Sequence, residues 1–263
     1  MAREFRYPTG ARPLLIDETA RRRRIEARFV SLLERDGFAE IVLPIIDFAE
    51  PYAEVTDRAA ARQSYRFTDR EGELVAVRSD FTPMVARALA PALDGVRLPL
   101  RVFYRGDVVR CEATRLGANR ELFQIGAEVI GDASAQTDLE VLRLVAGIAS
   151  AFCATPLVVY TSAALEPALA RDPRFVHFAE SDEESASYYT GLRFWVYGSD
   201  RRNPIAQGGR YDTLYARFGV DAAAIGFTFT VDDIGEMPAD DIADVRSALP
   251  VENEENTLVL RER

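Results

Sequence analysis

From Leu100 to Gly131 the chain alternates apolar and polar residues through Val102, Tyr104 and Val108, crosses a polar, glycine-containing segment, and alternates again through Leu122, Ile125 and Val129. A period of two on both sides of a long polar break predicts two antiparallel strands joined by a loop. These strands place Arg110, Glu112, Gln124 and Glu128 on or beside a sheet face. A core strand holds that much polarity only where the groups are paired or meet a ligand. A solvated face with charged cross-strand pairs is the other reading of the same residues.

A helical spacing of Ile25, Phe29 and Leu32 or Leu33 predicts a helix capped by Asp17 and running to about Asp36, with Gly37 as its stop. The β-rich run Ile41 to Ile46 follows, and Pro44 within it points to an edge or interface strand, since proline removes a ladder donor. Ser64 to Phe67 and Leu74 to Val77 read as a hairpin turning at Gly72. A helix from Pro83 to about Leu93 comes next, with Ser79 or Asp80 as its N-cap. The clearest amphipathic helix is Gln136 to Phe152, with Leu139, Leu142, Val145 and Ile148 on one side.

Beyond it the pattern predicts a strand at Thr155 to Tyr160, a short helix at Ala163 to Arg171, and a strand at Tyr188 to Tyr197 paired with Pro204 to Gln207. Gly208 and Gly209 permit a tight turn or a close ligand. A helix at Tyr211 to Phe218, a strand at Ala224 to Thr230 and a helix from Asp232 complete the pattern. Little periodicity is visible between Asp172 and Ser187, and an acidic, weakly patterned tail begins near Pro238. These elements make an α+β fold, a mostly antiparallel sheet flanked by helices, in one domain spanning residues 1–263.

Composition narrows the function. Net charge is −10, and every residue in the Lys+Arg count of 32 is arginine. An acidic chain repels nucleic acid on average, because phosphate neutralisation supplies most of that affinity. The dense basic run Arg21 to Arg24 falls in a helical pattern and reads as a solvated helix face. No apolar run approaches the roughly 20 residues of a membrane span, and no apolar stretch precedes Leu14 as a secretory signal would require. With Cys111 and Cys153 as the only cysteines, a cytoplasmic location without a disulfide is expected. His177 is the only histidine, and no Cys or His cluster has metal-ligand spacing, so no metal and no cofactor is expected.

Three stretches, in order, resemble the histidyl-tRNA synthetases of class II: VRSDFT at 77–82, VVRCEATRLGANRELFQIGAEVIG at 108–131, and QGGRYDTLYARFG at 207–219. The resemblance covers roughly Leu14 to Ile234. It implies the class II core, with the first helix, strand and Pro44 forming a motif 1 homodimer interface. It also implies a histidine site made of Asp80, Thr82, Arg110, Gln124, Glu128, Tyr188, Tyr189 and Tyr211. Within that site Asp80, Thr82 and Gln124 fall where the family holds the α-amino group, and Glu128, Tyr189 and Tyr211 fall where it grips the imidazole. A carboxylate facing an imidazole N–H is a charge-assisted contact.

Adenylation makes a further demand, since arginines must neutralise ATP as its α-phosphate is attacked. Arg110 matches the first of the family's two ATP arginines, but the second, in the stretch at 226–234, is Asp233. The arginine that polarises the substrate carboxylate is Glu184. Neither an anticodon-binding domain nor a basic face for tRNA is visible. An amino-acid pocket without ATP and tRNA machinery resembles the regulatory subunits of ATP phosphoribosyltransferase. That likeness implies a non-catalytic partner of a short-form catalytic subunit, with free histidine as effector. An amino-acid-activating ligase and a stand-alone histidine sensor are the alternatives.

Overall fold

The computed structural model describes residues 7–52, 64–111, 119–179, 189–198 and 203–234. The two strands expected between Leu100 and Gly131 form its centre: β5 (Leu100–Val109) and β6 (Glu121–Ile130), antiparallel over ten residue pairs from Leu100↔Ile130 to Val109↔Glu121. Around them an eight-stranded sheet runs in the order β1-β5-β6-β11-β10-β9-β7-β8. Its other members are β1 (Ala39–Glu40), β7 (Leu157–Tyr160), β8 (Phe175–His177), β9 (Arg193–Tyr197), β10 (Pro204–Arg210) and β11 (Ala224–Thr230). The pairing is antiparallel except at the two ends, where β1 lies parallel to β5 and β8 parallel to β7. A second, three-stranded sheet joins β2 (Ile46–Phe48), β3 (Arg66–Thr68) and β4 (Leu74–Val77), so the expected hairpin forms, turning at Gly72 with φ of 89°.

The two faces of the large sheet bury different chemistry. Ile125, Ala127 and Val129 of β6 meet helix α1 (Ile16–Arg35) through Ile25, Phe29 and Leu33, and helix α3 (Ala135–Ser150) through Val141, Leu142, Val145 and Ile148. Phe29 stacks on Phe152 with ring centroids 4.6 Å apart. Alternation then sends Gln124, Gly126 and Glu128 to the opposite face. That face is closed by helix α2 (Thr82–Leu89) and the 3₁₀ turn Tyr215–Phe218, with Phe81, Val85, Val102, Tyr104 and Tyr215 as its apolar core.

Several boundaries differ from the sequence reading for local reasons. Helix α1 begins one residue before Asp17, with Leu15 at its N-cap and no side-chain cap; Asp17 lies in the first turn, where its charge faces the positive end of the dipole. The run at Ile41 to Ile46 is not a strand. Only Ala39 and Glu40 pair with β5, and after Ile41 donates to the Phe103 carbonyl (2.9 Å) the chain leaves for the small sheet. Tyr211 to Phe218 forms a turn and a 3₁₀ segment in place of a helix, and Asp232 sits inside the 3₁₀ turn Val231–Asp233. The short edge strand β8 lies in the stretch read as unpatterned, and the strand expected from Tyr188 begins at Arg193. Gly208 and Gly209 lie within β10, not at a turn: a Cβ at either would strike neighbouring backbone, the Gly226 carbonyl or that of Leu192, so strand packing accounts for both.

The arginine run is not a solvated face. Arg22 reaches Asp232 (2.9 Å) and lies over the Phe123 ring, while Arg21 donates to the carbonyl of Ile234. Together they fasten α1 to the end of β11. Glu26, buried in the same helix, pairs with Arg23 and Arg105, and Arg105 also holds Glu40 at 2.7 Å. Among the described residues no helix is long and apolar enough to cross a membrane.

Arg210 is the most enclosed cation of the described residues, 5% exposed. It donates from Nε to Asp138 of α3 (2.7 Å) and from Nη1 to the Asp132 carbonyl (2.9 Å) and to Asp212 (3.0 Å). This joins the end of β6, the start of α3 and the end of β10. Replacing Arg210 by Ala leaves Asp138 half-buried without its cation, and the expected loss is about 3–5 kcal/mol. Urea unfolding measures it; a loss below about 1 kcal/mol would mean that water replaces the guanidinium freely.

Candidate functional site

Glu128 anchors the site from the middle of β6, 1% exposed. Its Oε1 accepts from the hydroxyls of Thr82 (3.0 Å) and Tyr104 (3.2 Å), and its Oε2 accepts from the hydroxyl of Tyr211. Three elements deliver those donors: the first turn of α2, strand β5, and the residue after β10. No cation is among them. Burial pushes the carboxyl up to about 8, against the pull of the three hydroxyl donors and with a further push from Asp80. Gly226 on β11 faces Glu128 across the ladder, and a Cβ there would lie 1.4 Å from Oε2. Only glycine leaves the carboxyl its place.

Asp80 precedes α2, where Phe81 occupies the N-cap position and offers no side-chain cap. The Asp80 carboxylate does part of that work from one residue upstream, accepting from the Phe81 N–H (2.8 Å) and the Thr82 N–H. Burial raises its pKa, while nearby Arg110 and the two amides pull it down. Arg110, at the end of the central hairpin, also points its Nε toward the Ser79 carbonyl at 3.5 Å. Tyr211 and Tyr104, both enclosed, are held well above the usual phenol range by burial and by the charge of Glu128.

A cleft of about 510 Å³ opens beside this cluster, lined by Arg110, Gln124, Gln207, Thr228, Thr230 and Asp233 among others. Gln124 is 5% exposed, and its side-chain carbonyl has no partner among the described residues, so the wall of the cleft carries an unused acceptor. Thr228 connects the two regions: its hydroxyl shares a hydrogen bond of 2.9 Å with that of Tyr104, which in turn reaches Glu128.

The expected site residues therefore separate into groups. Thr82, Glu128 and Tyr211 are bonded to one another, with Asp80 alongside; Arg110 and Gln124 line the cleft. Tyr189 packs near Gly209 with the Arg193 guanidinium over its ring at 5.4 Å. Tyr188, Glu112 and Glu184 lie outside the described residues. Tyr104 and Thr228 were not singled out in the sequence. Tyr104 had a signal, since it shares the inward phase of β5 with Val102 and Val108, and a tyrosine at a core position brings a hydroxyl that must be satisfied. Thr228 had none.

A family model described as histidyl-tRNA synthetase matches residues 10–174 and 161–234, most of the chain. The chain belongs to the histidyl-tRNA synthetase family. Within that family it resembles two proteins named ATP phosphoribosyltransferase regulatory subunit. The one from Desulforamulus reducens is 34% identical over 54% of this chain, a match spanning about a third (35%) of that relative. The other, from Geobacter sulfurreducens, is 26% identical over 87% of this chain and 72% of the relative. A solved structure titled as an ATP phosphoribosyltransferase regulatory subunit/histidyl-tRNA synthetase from Bacillus halodurans superposes with a TM-score of 0.74 at 21% identity, covering 88% of this chain and 83% of that one. The likeness establishes the class II fold.

The Glu128 carboxyl gives a pH signature. In the unfolded chain it loses its proton near 4.5 and in the fold near 8, so between those values the folded state holds the extra proton. Its contribution to stability is fully present below about 4.5 and is lost as pH rises through about 8. Thermal midpoints of wild type and Glu128→Gln, compared from about pH 5 to about pH 9, are expected to converge at low pH and diverge in favour of Gln at high pH. Parallel curves would mean that Glu128 is ionised throughout.

Proposed function

We propose that this chain is a non-catalytic regulatory subunit of ATP phosphoribosyltransferase, acting on a short-form catalytic subunit in the first step of histidine biosynthesis and taking free histidine as its effector. One observation carries the reading: Asp233 stands in the cleft with Arg110, where the resemblance to motif 3 requires a second arginine. Phosphate held by one cation and opposed by a carboxylate is poorly bound, and losing one positioned donor commonly costs about a hundredfold or more in rate. Asp232 offers no relief, being already committed to Arg22 and to the Phe123 N–H. The amino-acid half of the site keeps its groups. The names of the relatives support the same assignment.

The resemblance also makes the chain a homodimer through the motif 1 region. Support comes from Val42, Ile45, Ile46, Phe48 and Phe67, all exposed large apolar residues. Phe48 and Phe67 both lie opposite Val75, so they share one face of the small sheet. Sedimentation of Phe48→Glu is expected to show monomer where wild type shows dimer; unchanged mass would place the interface elsewhere.

The function is tested by mixing the purified chain with the short catalytic subunit of the same genome and measuring phosphoribosyl-ATP formation with and without histidine. Activity should rise on mixing and fall with histidine. Glu128→Ala should weaken the histidine effect by about 2–5 kcal/mol in binding. A catalytic subunit equally active alone would sink the assignment. Histidine-dependent exchange of pyrophosphate into ATP by the isolated chain would favour the ligase alternative.

A further inference from the structure

The path from the cleft to Glu128 consists only of hydroxyl groups. Thr228 lines the cleft, its Oγ1 lies 2.9 Å from the Tyr104 hydroxyl, and that hydroxyl lies 3.2 Å from Glu128 Oε1. Every group facing the carboxyl is accounted for: Asp80 and Thr82 from α2 and the residues before it, Tyr104 from β5, and Tyr211 and Tyr215 from the segment after β10. Arg110 acts on Asp80, whose carboxylate also has two backbone N–H donors. Of the two neighbouring carboxyls, Asp80 therefore has what an anion needs. Glu128 has hydroxyls alone, and a buried carboxyl without a counter-charge keeps its proton.

We propose that the Thr228–Tyr104 hydroxyl pair couples Glu128 to the cleft, so that the site selects a ligand bearing a basic ring nitrogen, which leaves as its counter-charge an ionised Glu128. The proton balance is closed. The O–H bond of Glu128 breaks and its proton passes to the Tyr104 oxygen; Tyr104 passes its own proton to Thr228, and Thr228 passes its own to the ring nitrogen, where an N–H bond forms. One cation and one anion appear together, the net charge of the site is unchanged, and both tyrosine and threonine end neutral. Tyr104 is thus a positioning residue for specificity. Its hydroxyl sits where a side chain on Gly126 would collide with it, at 2.4 Å from a Cβ, which holds the ring between β6 and α2 and leaves the hydroxyl little freedom to turn away.

This inference rests on the reading of the pocket as a histidine site and deepens it. The test compares calorimetric affinities for histidine and for its 1,2,4-triazole isostere, which has the same shape and α-amino group but a far less basic ring. With wild type the ratio should favour histidine at least about tenfold near pH 7.5, then shrink by up to about tenfold per pH unit above about 8, where Glu128 is ionised before binding. Tyr104→Phe removes one oxygen and keeps the ring stacked on Phe81, now at 4.4 Å between centroids. It should bind both ligands with a ratio within about threefold of unity, as should Glu128→Gln. Wild-type selectivity retained in Tyr104→Phe, or a wild-type ratio near unity, would overturn the proposal while leaving the histidine pocket in place. Binding of neither ligand by wild type would overturn the pocket and, with it, this inference.

Discussion

A carboxyl group sealed from water sets conditions on most of this fold. Glu128 is tolerated at the centre of the sheet because three hydroxyls converge on it, and each comes from a different part of the chain. The convergence requires the β5–β6 register that brings Tyr104 level with Gly126, the β6–β11 register that puts Gly226 beneath the carboxyl, and the entry of α2 at Thr82. A slip of one residue in β6 would exchange Gln124 and Glu128 with Ile125, Ala127 and Val129, placing charge against α1 and α3. The polar cluster therefore specifies the same register that the apolar core specifies from the other face. Neither alone would fix it as sharply.

Charge around the cleft follows a different logic, that of commitment. Asp232 is held by Arg22 and by the Phe123 amide, which converts a helix-borne arginine into a clamp on the end of β11. Arg110 is drawn toward Asp80 and the Ser79 carbonyl, at the amino-acid side of the cleft. Asp233 adds negative charge to the same cavity. A cavity arranged in this way accepts neutral hydrogen-bonding groups through Gln124, Gln207, Thr228 and Thr230 more readily than it accepts a polyphosphate.

The sequence was most legible where periodicity was long. The strands at β5, β6 and β11 and the helices α1 and α3 follow directly from their patterns, because many residues repeat one instruction. Short elements failed for the opposite reason. β8 has three residues, β1 two, and the turn after Tyr211 contains too few positions for a period to separate a helix from a 3₁₀ turn. Glu128, Gln124 and Thr82 were visible as polarity on a buried face. The roles of Arg21 and Arg22 were not, since their partners lie more than 200 residues away and a run of four arginines carries no mark of which will be paired. Thr228 was hidden similarly, its hydroxyl acquiring meaning only through a tyrosine 124 residues distant.

The site is also mechanically joined to the exposed apolar segment. Arg78, two residues before Asp80, donates to the carbonyls of Asp107 (2.6 Å) and Leu43 (2.9 Å) while its guanidinium lies over the Phe81 ring at 4.5 Å. The residues that hold Asp80 and Thr82 against Glu128 are thereby tied to the chain that carries Val42, Ile45, Ile46 and Phe48. A tie of this kind transmits nothing by itself, for a ligand shifts a distant surface only if it binds two arrangements of the connecting segment with different affinity. Glu128 supplies such a difference in principle: with its proton, the cluster is neutral beside Asp80; without it, two carboxylates repel across the start of α2. A ligand that changes the charge of Glu128 changes the force on Thr82 and Asp80, and through Arg78 the restraint on residues 43–48. The coupling between pocket and surface then resides in one proton and one helix entry, and no movement of the large sheet is required.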